Sequence, residues 1–569
     1  MTDSTARARI AHLAGPTATI QNTPPLVTSN KARAKYGLPL AINPDGTAAR
    51  FDVLRAQRLA APVTVYVEQF SAHPLEADAA ELYGPPDGYL DRHGKFHQNR
   101  QEPTDTPVYA IELKPEDGLY PLPYMARQVD GSAWEEECAY PGAPAEKTRQ
   151  SFFPDGSRSF EEIDRLMVDG RGRGNLVSSK ADIEFFRIMP PGGYTKGLAA
   201  GARDGTVEGG IAPERRGFDF FAYKPAHLYA PPTRDALARA TSRVQDILAG
   251  GRFAGAIWTE GSPNIEETIY WLNLLVDTTV PICGAAAQRT HGMVSNDGPK
   301  NIVDSVDYIV SRVWADAENR NRVGAVLVQE QQVFAARTVA KSDARPGNYR
   351  ATGGVGGIIG AVGHEAGPPV IHYLPTARHT WCSDVNVNRL PREVGGVVWK
   401  AGRFDGVRVP IKDADGHLVP TAIPPVAIVK DGAYAAPDAE IDLSREVDLL
   451  AVIDHMRASA PIAGIVFEGL APYGSTQARA RNRLVLRALY SGIPVVRVGR
   501  GATEGFVPAR DACIAGSNLT ATKARILLMA SLMKLGSLPP AVDPDDPTPA
   551  ERAAVRDKVR HYQAIFDTH

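Results

Sequence analysis

Residues 241–275 read TSRVQDILAGGRFAGAIWTEGSPNIEETIYWLNLL, and their grammar is helix, strand, loop, helix. The first helix begins upstream: DALARATSRVQDILAGG (235–251) spaces its apolar residues three and four apart and stops at a glycine pair. FAGAIWTEG (253–261) is a short apolar run that opens into a turn, the pattern of a buried strand. IEETIYWLNLLV (265–276) predicts a second helix, with Glu266 and Glu267 in its first turn where the helix dipole favours negative charge. A buried strand between two helices is the repeating unit of a parallel sheet with covered faces.

The same alternation runs outward from this segment. DIEFFRIM (182–189) is a strand that meets Pro-Pro-Gly-Gly, and VGAVLVQ (323–329) is another buried strand. A turn-rich stretch, 390–422, separates this block from a second one. That second block reads VAIVK (426–430), a helix through REVDLLAVIDHMRAS (445–459), then AGIVFEG (463–469). It continues with the helix ARNRLVLRALYSG (480–492), the strand IPVVRVG (493–499) and the apolar helix TATKARILLMASLMKLG (520–536). Residues 1–180 differ: they are rich in Pro and Gly, with isolated strand-like runs VTVYVEQF (63–70) and PVYAIELK (107–114). They are expected to form an irregular but mostly ordered extension, with disorder the competing expectation for the first 30 or so residues, where apolar content is low. The expected division is an extension (1–180), an α/β domain (181–395), a linker (396–422) and a second α/β domain (423–569).

A chain of 569 residues exceeds one hydrophobic core, and 43% apolar with 22% charged residues is ordinary for a globular protein. A net charge of −2 gives no general pull toward nucleic acid, and no apolar run reaches the length of a membrane span. The opening MTDSTARARIAHLAG has no signal-peptide core. The four cysteines, Cys138, Cys283, Cys382 and Cys513, form no CxxC pair. That argues against zinc and disulfides and fits a cytoplasmic location.

Six stretches in order resemble the bacterial-type L-asparaginase/glutaminase family. Residues 241–275 resemble the segment built around HGTDTxEET, and PICGAAAQRTHGMVSNDGPKNIVDSV (281–306) resembles the VGAMRP…SxDGPxNLxxAV stretch. VGAVLVQEQQVFAARTVAKSDA (323–344) resembles the strand, turn and RDVxKT motif. AGIVFEG, SGIPVVRVGRGATEG and LTATKARILLMASL resemble the second domain. The resemblance covers about 180–569 and implies a two-domain α/β fold with mostly parallel sheets flanked by helices. It further implies hydrolysis of a C–N amide bond in a small molecule, no cofactor or metal, and a homodimer or homotetramer with sites between subunits.

Family members use a nucleophilic Thr in TGGTIA at the end of the first strand, a Thr and an Asp in HGTD, and a Lys in RDVxKT. A hydroxyl needs a neighbouring base to become a nucleophile, and a lysine shielded from water can serve. Carried over residue by residue, PGGYTKG (191–197) takes the TGGTIA place, which puts Pro191 at the nucleophile and Tyr194 at the second Thr. In TEGSPNIEET (259–268) the family His becomes Glu260, the Thr becomes Ser262 and the Asp becomes Pro263. Lys341 keeps the lysine place. KPAHLYAPP (224–232) lacks the Ser that grips a substrate carboxylate, and APYGS (471–475) lacks the Asn of the neighbouring-subunit loop. These departures remove the groups that would hold an amino acid, so a substrate other than plain L-asparagine is expected.

Two readings follow. In the first, Ser262 and Lys341 form a hydroxyl–base pair with Thr195 or Tyr194 as a second hydroxyl. Gly192, Gly193 and Gly261 then offer N–H groups to an oxyanion, and Thr259, Glu260, Arg289 and His291 contact substrate. Tyr194 and Trp258 would suit a flat aromatic or cyclic amide. In the second, the chain is a non-catalytic binding homologue without the nucleophilic Thr. Among other features, GGVGGIIG (353–360) misses the dinucleotide spacing and reads as a surface loop. His291, His364, His372 and His379 form no i, i+4 pair that would mark a metal site. Ser295, Asn296 and Asp297 read as a helix cap. Asn348 and Tyr349 fall on a turn beside the site or a subunit contact. A purely structural role for Lys341, paired with Asp343, is the plain alternative to catalysis.

Overall fold

The structure is a computed structural model. It describes residues 7–15, 63–67, 80, 84–92, 95–113, 163, 167–174, 176–187, 233–289, 295–341, 349–351, 357–363, 367–375, 377, 389–434, 442–501 and 512–569. The chain divides into two compact units. One comprises Met1–Pro232, Thr259–Gly261 and Ala286–Val303, and the other comprises Thr233–Trp258, Ser262–Ala285 and Asp304–His569.

In the first unit, strand β1 (Ala8–Ala14) runs parallel to β6 (Ala181–Arg187), in register from Ala8↔Ala181 to Ala14↔Arg187. Ile10, Ala11, His12 and Leu13 are all buried, as expected of a strand covered on both faces. Part of the region where disorder competed is therefore a strand. Seven residues suffice once a partner 170 positions later completes the ladder, and average composition over 30 residues hides so short a run. β2 (Val63–Val67), β3 (Gly88–Leu90), β4 (Phe96–His97) and β5 (Thr106–Leu113) form an antiparallel sheet in the order β2-β5-β3-β4. Leu90 and Val108 pack with Phe96 and Ala110 as its small core.

In the second unit, α1 (Arg234–Ala249) starts at Thr233, whose side chain accepts from the Ala236 N–H, and ends at Gly250 and Gly251. Strand β7 (Gly255–Thr259) follows, with only its last residue in the first unit, and then α2 (Ile265–Leu275). α2 is buried almost all round, which marks a helix inside the core rather than on its surface. Next come β8 (Ile282–Ala285), α3 (Gly298–Ser311), whose residues 298–303 belong to the first unit, β9 (Val326–Gln329), β10 (Gln332–Ala335), β11 (Val339–Ala340), β12 (Arg350–Ala351), β13 (Ile358–Ala361) and β14 (Val370–Ile371). The sheet of this unit runs β14-β13-β10-β9-β8-β7. β8 and β9 are parallel, whereas β9–β10, β10–β13 and β13–β14 are antiparallel. The last three residues of GGVGGIIG, 358–360, thus belong to strand β13, because β10 offers them an edge to pair with.

β15 (Glu393–Lys400) and β16 (Arg403–Pro410) form a hairpin inside the stretch read as turn-rich, closed at Ala401 and Gly402. The last block is a parallel sheet in the order β17 (Val426–Lys430), β18 (Gly464–Gly469), β19 (Val495–Gly499), β20 (Ile514–Ala515). α4 (Val447–Ser459) and α5 (Arg479–Tyr490) connect its strands. α6 (Ala521–Leu535) packs on β17 and β18 and also on α2. Its approach is close: a Cβ on Gly464 would lie 2.6 Å from Leu528. The C-terminal α7 (Pro549–Phe566) packs against α5, α6 and β20.

Candidate functional site

Two clusters, one in each unit, hold the chemistry-bearing side chains. In the second unit, Lys341 Nζ donates to Ser262 Oγ at 2.7 Å. Ser262 sits on the loop that leads into α2, and Lys341 follows β11 directly. Pairing of β11 with β12 brings the chain back so that Tyr349 also reaches this loop, its hydroxyl donating to the Ser262 carbonyl at 2.7 Å. The Lys341 N–H donates to the Glu266 carboxylate in the first turn of α2. The pair is therefore fixed at both backbones: Ser262 by Tyr349, Lys341 by Glu266. Burial raises the Glu266 pKa, opposed by the Lys341 N–H and the nearby Lys523 charge.

Lys523, in the first turn of α6, is 1% exposed. Its ammonium donates to the Glu266 carbonyl and, at 2.7 Å, to the Ala336 carbonyl, and it lies 5.3 Å from the Tyr270 ring centre. Burial lowers its pKa to about 7, opposed by the charges of Glu266 and Glu267 and reinforced by Arg337. Beside it, Arg525 pairs with Glu267 at 2.6 Å.

In the first unit, His12 of β1 and Thr259 at the end of β7 are bonded through Nε2 and Oγ1 at 2.9 Å, and the Gly15 N–H donates to the Thr259 carbonyl at 2.9 Å. Burial lowers the His12 pKa to about 3, so the imidazole is neutral, and its tautomer decides which partner of the Nε2–Oγ1 hydrogen bond donates. Glu260 is buried and Gly261 half-buried. The Asp297 carboxylate accepts from the N–H groups of Gln288 (3.0 Å) and Arg289 (2.7 Å) and from Asn301 Nδ2 (3.1 Å). Its carbonyl accepts the Asn301 N–H at 3.0 Å, so Asp297 opens α3 through its backbone while its side chain folds the preceding loop. Arg289 Nε donates to the Ser295 carbonyl at 2.6 Å, so the guanidinium expected to face substrate also braces this loop.

Among the residues expected from sequence, Ser262, Lys341 and Tyr349 are brought together in one cluster, and Thr259, Glu260, Gly261 and Arg289 belong to the other unit. Trp258, expected beside an aromatic substrate, is fully buried, as are the other residues of β7 before Thr259, so this strand is covered on both faces. Gly192, Gly193, Tyr194, Thr195 and His291 lie outside the described residues, as do Pro191, Asp343, Asn348, His364, His379 and the 224–232 loop. The sequence reading missed His12 and Lys523. His12 is a polar residue in the apolar run ARIAHLA, and Lys523 interrupts an apolar helix, so each was visible as an exception to its pattern. Cys283 and Cys513 are buried and not joined in a disulfide, while Cys138 and Cys382 lie outside the described residues. Among the described residues no group of three His, Cys, Asp or Glu side chains gathers to hold a metal, and no helix is long and apolar enough to cross a membrane.

Residues 232–348 match the family described as asparaginase, N-terminal. A probable L-asparaginase of Deinococcus radiodurans is 24% identical over 299 residues, covering 52% of this chain and 88% of that protein. L-asparaginase 2 of Bacillus subtilis is 24% identical over 306 residues, covering 52% of this chain and 66% of its own. A solved structure of a probable cytoplasmic L-asparaginase from Campylobacter jejuni aligns with a TM-score of 0.43 at 19% identity, over 69% of this chain and 88% of that one. The matched segment contains β7, the Ser262 loop, α2 and Lys341, so this part of the chain is similar to the N-terminal domain of asparaginases.

Proposed function

We propose that this chain hydrolyses the amide of a small molecule other than plain L-asparagine, using Ser262 as nucleophile and Lys341 as its base. The 2.7 Å contact between Lys341 Nζ and Ser262 Oγ, braced by Tyr349 and Glu266, carries the reading. Lys341 takes the Ser262 proton as Oγ attacks the carbonyl carbon. The C–N bond then breaks, and the leaving nitrogen takes that proton from Lys341. Water hydrolyses the resulting ester and restores the serine hydroxyl. The substrate reading rests on Pro263, which puts a ring in place of the carboxylate that the family resemblance assigns to an α-ammonium. A homo-oligomeric state and a cytoplasmic location belong to the same proposal.

A second reading of the nucleophile has its own observation. The family places its Thr after the first strand, and the first strand of this chain is β1, which leads through Gly15 into Pro16-Thr17-Ala18-Thr19. Gly15 is bonded to Thr259, so a hydroxyl from Thr17 or Thr19 competes with Thr195 and Ser262 for the role. Those threonines lie outside the described residues, and the proposal rests on sequence order alone. Acid-quenched turnover followed by peptide mapping separates the assignments. An acyl adduct on the peptide containing Ser262 is the expected result, and an adduct on the peptide containing Thr17 and Thr19, or Thr195, would overturn it.

A further inference from the structure

We propose that Lys523 is a positioning residue for the Ser262–Lys341 pair, an inference that rests on the amidohydrolase reading above. Lys523 contacts neither Ser262 nor Lys341 in the hydrogen bonds described. It instead ties together the two pieces of chain that carry them. One acceptor of its ammonium, the Glu266 carbonyl, lies in the first turn of α2, four residues beyond Ser262. The other, the Ala336 carbonyl, lies between β10 and β11, five residues before Lys341. The Glu266 carboxylate closes the circuit by accepting the Lys341 N–H. Glu266 thus serves both ends: its backbone holds Lys523 and its side chain holds Lys341.

A buried cation between two carbonyls costs desolvation, so an apolar residue of similar length would be the simpler core choice. What the cation adds is direction. Two charge-assisted hydrogen bonds fix the separation of the α2 loop from the β10–β11 segment, and that separation sets the Nζ–Oγ distance on which proton transfer depends. The cost is moderated from several sides: the Tyr270 ring lies against the ammonium, and Glu266 and Glu267 oppose its loss of charge. Arg525 holds Glu267 from the next turn of α6, so one helix supplies both cations of the clamp. Lys523 came from the second sequence block and Ser262 and Lys341 from the first. The packing of α6 on α2 makes the pair dependent on a helix some 180 positions downstream of Lys341.

The test uses the full chain and the variants Lys523→Met and Lys523→Gln, read by amide hydrogen exchange and by ammonia release from an amide panel. In the Met variant, exchange should rise at least tenfold in peptides covering 262–268 and 336–341 and stay unchanged in β18 and β19. The Gln variant, which keeps amide donors, should recover part of that protection. In the ammonia assay kcat should fall at least tenfold with KM within twofold. Unchanged exchange at the two peptides, or an equal rise across the whole chain, would overturn the proposal by showing no role or a purely global one. If the Met variant does not fold, the Gln variant is judged against wild type at the same peptides by the same two outcomes. A wild-type chain inactive on every amide would sink the amidohydrolase reading, while the exchange result would still decide the positioning role.

Discussion

His12 and Thr259 show how much depends on one polar residue in an apolar strand. An imidazole held neutral by burial is hydrogen-bonded to the Thr259 hydroxyl and cannot serve as a strong base near neutrality, since charging it would place an unsolvated cation in the core. Its role is orientation. His12→Leu should therefore cost about 1–3 kcal/mol of stability, the range for leaving a buried polar group without its partner. Thr259→Val should cost a similar amount, and the double variant should cost less than the sum of the two. Urea unfolding of the four proteins measures this; additive losses would show that the contact carries no coupling. The Ser262–Lys341 pair was legible because both residue types and their spacing survive in motifs of known order. His12 was not, because its partner is about 250 positions away and no local pattern announces a bond of that range.

At the scale of elements, the alternation of apolar runs identified β7, β9, β17, β18 and β19 with the helices α1, α2, α4, α5 and α6, but not the short strands β10–β14 or the β15–β16 hairpin, whose runs are brief and rich in Gly, Pro and Arg. α7 was missed as well, although TPAERAAVRDKVRHYQAIF carries the start signal of a helix: Thr548 as N-cap, Pro549 in the first turn and Glu551 completing a capping box. Its apolar residues, Val555, Val559, Tyr562 and Phe566, recur at helical spacing among many charges. Thr548→Ala should lower stability by about 1 kcal/mol through loss of that cap, seen as a lower Tm. The β9–β10 hairpin offers a change of opposite sign. Its two-residue turn is Glu330-Gln331, both with positive φ (47° and 67°), where side chains other than Asn and Gly are strained. The double change Glu330→Asn with Gln331→Gly should raise stability by about 1–2 kcal/mol; a lower Tm would contradict this account of the turn. Sequence pattern finds such strands but not this turn, because Glu and Gln carry no turn signal of their own.

For the molecule as a whole, the two buried titratable groups predict how stability depends on pH. The folded-state pKa of Lys523 is lowered to about 7 from an unfolded value near 10.5. Between those values the unfolded chain holds the extra proton, so this contribution to stability rises with pH across the window, and its cost is fully present below about pH 7. His12, lowered from 6.5 to about 3, acts in the same direction: stability falls as pH drops through 6.5 toward 3, where only the unfolded chain takes up the proton. Lys523→Met should flatten the urea midpoint between pH 7 and 9, and His12→Leu should flatten it between pH 4 and 6. An unchanged slope in either variant would exclude that group as the source. The α/β character and the order of motifs were readable from sequence because each unit of alternation is local. The return of residues 259–261 and 286–303 to the first unit was not, since it depends on chain crossings that composition does not encode.

Ammonia release from a panel of amides by wild type, Ser262→Ala and Lys341→Ala tests the central claim most directly. The account predicts release from an aromatic, cyclic or other non-amino-acid amide and at least a 100-fold loss in each folded variant, the scale of a lost nucleophile or base. Full activity in either folded variant, or L-asparagine as the best substrate of the panel, would contradict it.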